Sequence, residues 1–162
     1  MSIVSARFEA VAVSAVQDIF SLGSPTSGIG VLHSVIIAQS SDVGDSAEEI
    51  LIVRIITGNT TVGSGGSAPT AVPRSLGNAP TVTVRANDTT EVSVGTAAIH
   101  HSDAFNIRVG WQYIPTPEER IIWNNLIAGT KTFLAIQLIT APTVGNSSID
   151  MSATATWDEI HG

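Results

Sequence analysis

Phe105, Ile107, Val109, Trp111 and Tyr113 occupy every second position of one short stretch. Ala104, Asn106, Arg108, Gly110 and Gln112 fill the positions between them. That period of two belongs to an extended chain with one buried and one wetted face. The residue types agree, since aromatic and β-branched side chains suit a pleated, half-buried surface. Pro115 and Pro117 end the stretch, because neither can donate to a ladder. The pattern predicts a strand over 104–114 at the centre of an antiparallel sheet.

The same period recurs along the chain. Phe8, Ala10 and Ala12 alternate with Arg7 and Glu9 in a first strand over 6–14, and 17–22 gives a short second one. Strands are further expected over 29–39, 50–57, 81–86, 91–99, 131–140 and 148–157. In the last of these, Ile149, Met151, Ala153, Ala155 and Trp157 face inward, with Asp150, Ser152, Thr154 and Thr156 outward. Thr116-Pro117-Glu118-Glu119 carries the letters of a capping box. A short helix over 117–126 therefore competes with a strand through Ile121 and Ile122, and strand, or at most one helical turn, is favoured. Gly, Pro, Asn and Ser clusters separate these segments. The sum is a single all-β domain over 1–162. It reads as an antiparallel, jelly-roll-like β-sandwich of eight to nine strands.

Two strands are apolar on both faces. In IGVLHSVIIAQ (29–39), Ile29, Val31, Val35 and Ile37 alternate with Leu32, Ile36 and Ala38. In ILIVRIIT (50–57) only Arg54 interrupts. One face can serve the core; the other needs a loop or a second subunit. Residues 58–80 hold much of the Gly and Pro and read as a long loop or arm reaching from the domain.

Composition narrows the function classes. The chain has 162 residues, a net charge of −7 and only 7 Lys plus Arg. The basic residues are scattered, so the patch that nucleic acid requires is missing, and anionic membrane surfaces are disfavoured likewise. Its 43% apolar content supplies a core without staples, and there is no cysteine for disulfides or thiolate metal sites. No segment has the apolar length of a membrane span, and the N-terminus lacks the basic start of a signal peptide. The sequons at Asn59, Asn87 and Asn146 then read as turn chemistry.

Candidate chemistry is thin. His100 and His101 are adjacent, and neighbours on a strand point to opposite faces, so a shared metal ion is disfavoured against a solvated loop. No G-x-S-x-G elbow supports a Ser-His-Asp triad around His33 or His100. Gly63-Ser64-Gly65-Gly66-Ser67 lacks the Lys and helix of a phosphate cradle. Asp42, Asp45, Glu48 and Glu49 offer oxygens to calcium, but their spacing departs from a helix-loop-helix site and fits a solvated loop. Trp111, Tyr113, Trp123 and Trp157 could stack on sugars, with core packing the stronger reading for Trp111 and Tyr113 and Trp123 the least explained. No catalytic residue, metal site or cofactor is assigned, and the chain is read as a non-enzyme.

The stretches VLHSVIIAQSSDVGDSAEEILIVRIITGNTTVGSGG and SDAFNIRVGWQYIPTPEER resemble small all-β virion proteins of tailed bacteriophages, among them capsid decoration, or cement, proteins. The resemblance implies a virion protein assembled in the host cytoplasm and bound to the outer capsid surface. Its partners would be the major capsid protein and further copies of itself, with a homotrimer at local three-fold positions expected. The candidate partner-binding residues are Val31, His33, Val35, Ile37, Ile52, Arg54, Ile56 and Trp123. The alternative is a carbohydrate- or receptor-binding module on a phage tail.

Overall fold

The computed structural model describes residues 2–41, 48–75, 79–124, 132–143 and 149–160. Among them lie eleven strands: β1 (Ser2–Val13), β2 (Gln17–Gly23), β3 (Ile29–Gln39), β4 (Ile50–Asn59), β5 (Val72–Pro73), β6 (Val84–Asp88), β7 (Ala98–Asn106), β8 (Trp111–Tyr113), β9 (Ile122–Asn124), β10 (Phe133–Leu138) and β11 (Ile149–Ile160). They form two antiparallel sheets. Sheet A runs β5-β1-β11-β3-β8, with β9 also paired to β3, and sheet B runs β6-β2-β10-β4-β7. The all-β, two-sheet architecture expected from the alternation is therefore present.

The core fills the space between the sheets. Phe20, Leu22, Leu32, Leu134, Ile136, Leu138 and Trp157 are fully buried there, each contributing roughly 1.5–3 kcal/mol of transfer free energy. β11 keeps strict alternation, and Ile149, Met151, Ala153, Ala155 and Trp157 all face in. It lies between β1 and β3 over ten paired positions each, so the last strand of the chain is a central one. Its Glu159 is also buried. There its carboxylate accepts Thr81 N–H (2.8 Å), Thr81 Oγ1–H (2.9 Å), Val82 N–H (3.2 Å) and Trp157 Nε1–H (3.2 Å).

The stretch 104–114 is not one central strand. It is the end of β7, a turn over 107–109, and the start of β8. β7 is an edge of sheet B and β8 an edge of sheet A. Asn106 O accepts from Val109 N–H (3.0 Å) and Gly110 N–H (3.3 Å). Gly110 adopts φ +77°, which a glycine takes without a Cβ clash. Val109 is left 85% exposed. The period of two passes through the turn because both halves present their odd residues to the same core.

Other segments shift in smaller ways. The strand expected over 91–99 begins only at Ala98, and 81–86 moves to Val84–Asp88. His100 and His101 thus lie in β7, not in a loop. After Tyr113, Pro117–Glu119 makes one 3-10 turn and β9 follows, in keeping with strand and at most one helical turn. Thr116 Oγ1 contacts the Glu119 carboxylate (3.2 Å) and makes no capping bond to the backbone.

The segment read as an arm lies along the body over its described residues 58–75, and 76–78 lie outside the described residues. Backbone bridges join Thr61 to Ser93, Ser64 to Thr90 and Ser67 to Ala86. Gly66 N–H donates to buried Asp88 (2.9 Å). The chain then crosses to sheet A, where β5 pairs with β1. Together 60–67 and 86–94 make a ribbon beside β6. Val92 from this ribbon packs with Ile56, Phe133 and Ala135 in a second small apolar cluster.

Candidate interaction surfaces

The two outer sheet faces differ in kind. On sheet A the cross-strand register sets Ile3 beside Asp158, Asp158 beside Val31, and Val31 beside Ile122. A second row runs Arg7, Thr154, Ile36, Gln112. Ile3 (36%), Ile36 (41%), Ile122 (55%) and Val72 (55%) are exposed on this face. Asp158 of the first row is hydrogen-bonded to His33, with Nε2 and Oδ2 2.8 Å apart. Asp158 is nearly buried and its Oδ1 has no hydrogen-bond partner.

A bulge places His33 there. Thr156 pairs with Ser34 and Trp157 with Leu32, so His33 is the extra residue on β3. An extra residue reverses the face on which later side chains fall. Leu32 therefore points inward before the bulge, and Val35 and Ile37 after it. This corrects the expectation that Val31, His33, Val35 and Ile37 all bind a partner. Val31 and His33 stay half-exposed, while Val35 and Ile37 are core residues.

On sheet B the outer face carries a polar row and is partly roofed, and beyond the roof it also exposes Ile50 (57%) and Ile99 (60%). Cross-strand pairs run Asp88, Asp18, Gln137, Arg54, Ser102. Arg54 Nε donates to Gln137 Oε1 (2.8 Å), and Gln137 Nε2 donates to Asp18 Oδ1 (2.7 Å). Val92 N–H donates to the other Asp18 oxygen (2.7 Å). Asp88 takes Arg85 Nε–H (2.8 Å) and Nη2–H (2.6 Å). Burial pushes the Asp18 carboxyl up to about 6; the bonds from Gln137 and Val92 oppose the rise, and the charges of Glu91 and Asp88 add to it. Ile56 lies under the ribbon in the small apolar cluster and cannot meet a partner. Ile52 is 38% exposed beyond the roof, and Arg54 is half-buried in the polar row.

Trp123 is also a core residue. It is 2% exposed, and its Nε1–H donates to Gly23 O (3.1 Å). Its ring covers Gly30, where any Cβ would collide with it. Trp111, Tyr113 and Trp157 are buried too, so none of the four aromatics presents a free stacking face. The candidates that reach a surface are Val31, His33, Ile52 and Arg54. Ile3, Ile36, Val72 and Ile122, which complete the sheet A face, escaped selection. Their neighbours across strands are set by register, which period alone does not give.

The remaining candidate groups are held in local structure. His100 Nε2 lies 2.7 Å from Thr57 Oγ1, whereas His101 packs against Tyr113 (centroids 5.0 Å apart) and Trp111 (6.0 Å). Asp103 accepts Trp111 Nε1–H (3.2 Å). His100, His101, Asp103 and Tyr113 line an open cleft between β7 and 112–119. Among the described residues no group of three or more His, Cys, Asp or Glu side chains could hold a metal ion. Of the acidic loop, Asp42 and Asp45 lie outside the described residues, and Glu49 accepts Thr143 N–H (2.9 Å) and Oγ1–H (2.7 Å). No helix among the described residues is long and apolar enough to cross a membrane.

Comparison of the chain with family models, with curated proteins and with solved structures finds no match.

Proposed function

We propose that this chain is a structural virion protein that binds the outer surface of a tailed-phage capsid and stabilises it as a decoration protein. In this reading it is not an enzyme. Its partners are the major capsid protein and further copies of itself, gathered at local three-fold positions. The three-fold order comes from the resemblance to phage decoration proteins. The observation that carries the reading is the outer face of sheet A, where Ile3, Val31, Ile36, Val72 and Ile122 surround the His33–Asp158 pair. Exposed apolar residues grouped on a rigid sheet and rimmed by Ser, Thr and charged groups mark a protein contact.

The strand order supports a jelly-roll reading of the sandwich. Counting β1, β2, β3, β4, β7, β8, β10 and β11 as strands one to eight, sheet A runs one-eight-three-six and sheet B two-seven-four-five. That order fits the two Greek keys of a jelly roll, a fold frequent in viral capsid proteins. β5, β6 and β9 are then additions at the flanks.

Rebinding to phage particles stripped of this protein tests the role. Wild-type protein is expected to bind. Ile36→Glu and Ile122→Glu each place a charge on the sheet A face, and each should weaken binding about ten-fold or more, in line with a desolvated charge in an apolar contact. Both positions are exposed, so circular dichroism should stay unchanged. Binding unaffected by either substitution would remove sheet A as the contact face.

A further inference from the structure

We infer that the free edge of β7 is a self-association site, at which a second copy of this chain adds its own β7 antiparallel across a two-fold axis at Ser102. The contact is separate from the sheet A face. In a three-fold oligomer it would join neighbouring oligomers pairwise.

Among the described residues five strands end the two sheets, and four of them are short or covered. β8 and β9 have three residues each and β5 two, one of them Pro73; beyond Val4 and Ser5, which β5 covers, the edge of β1 is broken by the bulge between Phe8 and Val11. Beside β6, Ser67 bridges to Ala86 and covers that edge. β7 is nine residues long and pairs with β4 alone. A long unpaired edge is a template for another strand unless Lys, Pro or a cover blunts it. AIHHSDAFN holds neither Lys nor Pro; its bulge lies near its start, between His101 and Ile99, and its one carboxylate, Asp103, is on the inward face with Val53.

The register says which groups face outward. Ile107 N–H donates to Glu49 O, and Ile50 pairs with Asn106. Bonding direction alternates along an antiparallel strand. Asp103 and Phe105 therefore bond toward β4, and Ser102 and Ala104 turn their backbone groups outward. Ala104 N–H points away from β4 and donates to the Asp103 side chain (2.8 Å), a local bond that an added strand replaces.

The edge is self-complementary in one register. A two-fold axis at Ser102 sets His101 opposite Asp103 of the second copy, and Asp103 opposite its His101. Both side chains lie on one face, since they pair with Ile55 and Val53 of β4. Moving the axis by one residue sets Asp103 against Asp103, or His101 against His101. Like groups directly opposite are unfavourable, whereas an acid facing an imidazole is not. Charge complementarity thus favours a second copy of this chain over an arbitrary strand.

The chain contains no cysteine, so single-cysteine variants report the register cleanly. Across the axis, the two Ser102 Cα atoms would lie about 5.5 Å apart, within disulfide reach. The two Ala104 residues would be four positions out of register, roughly 13 Å apart. Under mild oxidation, Ser102→Cys should give covalent dimer at least ten-fold faster than Ala104→Cys. In the cysteine-free chain, Ser102→Pro removes the central outward N–H and should lower pairwise association in sedimentation velocity. Equal cross-linking at both positions, no cross-linking of Ser102→Cys, or identical sedimentation of wild type and Ser102→Pro would each overturn the proposal. The assay needs no capsid, so its failure leaves the capsid-binding reading to its own test.

Discussion

Asp18 and Asp88 sit directly opposite each other on β2 and β6, and both are fully buried. Two carboxylates in that position are tolerable only because each is dressed with donors. Asp88 has the Arg85 guanidinium, while Asp18 has one amide from Gln137 and one backbone N–H from Val92. Asp18 has the weaker support, and burial raises its carboxyl from 3.8 to about 6. A carboxyl raised in the folded state binds a proton between those values that the unfolded chain does not. Its stabilising contribution is therefore complete below about pH 4 and lost as pH rises through 6. Urea unfolding should show a fall of roughly 2–3 kcal/mol across that range, and Asp18→Asn should remove it. A profile that is the same in wild type and Asp18→Asn would mean that Asp18 does not titrate there. Nothing in the local sequence announced this group, because Gln17-Asp18 looks like the polar start of a strand. Its burial depends on the ribbon that arrives from 86–94.

Among the elements, the ribbon formed by 60–67 and 86–94 makes the largest difference between pattern and structure. Its backbone bonds are not regular enough to leave an alternation in the sequence, so 58–80 reads as an arm. The glycines carry the information instead. Gly66 lies against Ala86 O and Asn87, and a Cβ there would collide with backbone. Gly66→Val should push 64–67 away from β6 and destabilise by about 1–3 kcal/mol. Amide exchange should rise first at Ser64, Ser67, Ala86 and Thr90, whose mutual bonds hold the ribbon. Unchanged protection at those four amides would contradict the close approach. Strands with strong alternation were legible to within a few residues: β3 was read at its full Ile29–Gln39 span and β11 by its inward residues. Partners were not legible, because a bulge at His33 and a turn at Gly110 change face or sheet without breaking the apolar period.

For the whole molecule, the sandwich separates two tasks. Sheet B turns outward a partly roofed polar row flanked by Ile50, Ile52 and Ile99, and sheet A turns outward an apolar group around the His33–Asp158 hydrogen bond. The length, alternation and turn spacing were enough to read a two-sheet body. The choice of face was not, since half of the residues expected at a contact, Val35, Ile37, Ile56 and Trp123, are spent on the two cores. Sheet A is proposed as the capsid contact and β7 as a link between copies. The most direct measurement is quantitative mass spectrometry of purified phage particles from the host that encodes this chain. The account predicts a copy number of the same order as the major shell protein, as a lattice-wide decoration requires. Absence from the particles, or only a few copies per particle as at a tail tip, would contradict it.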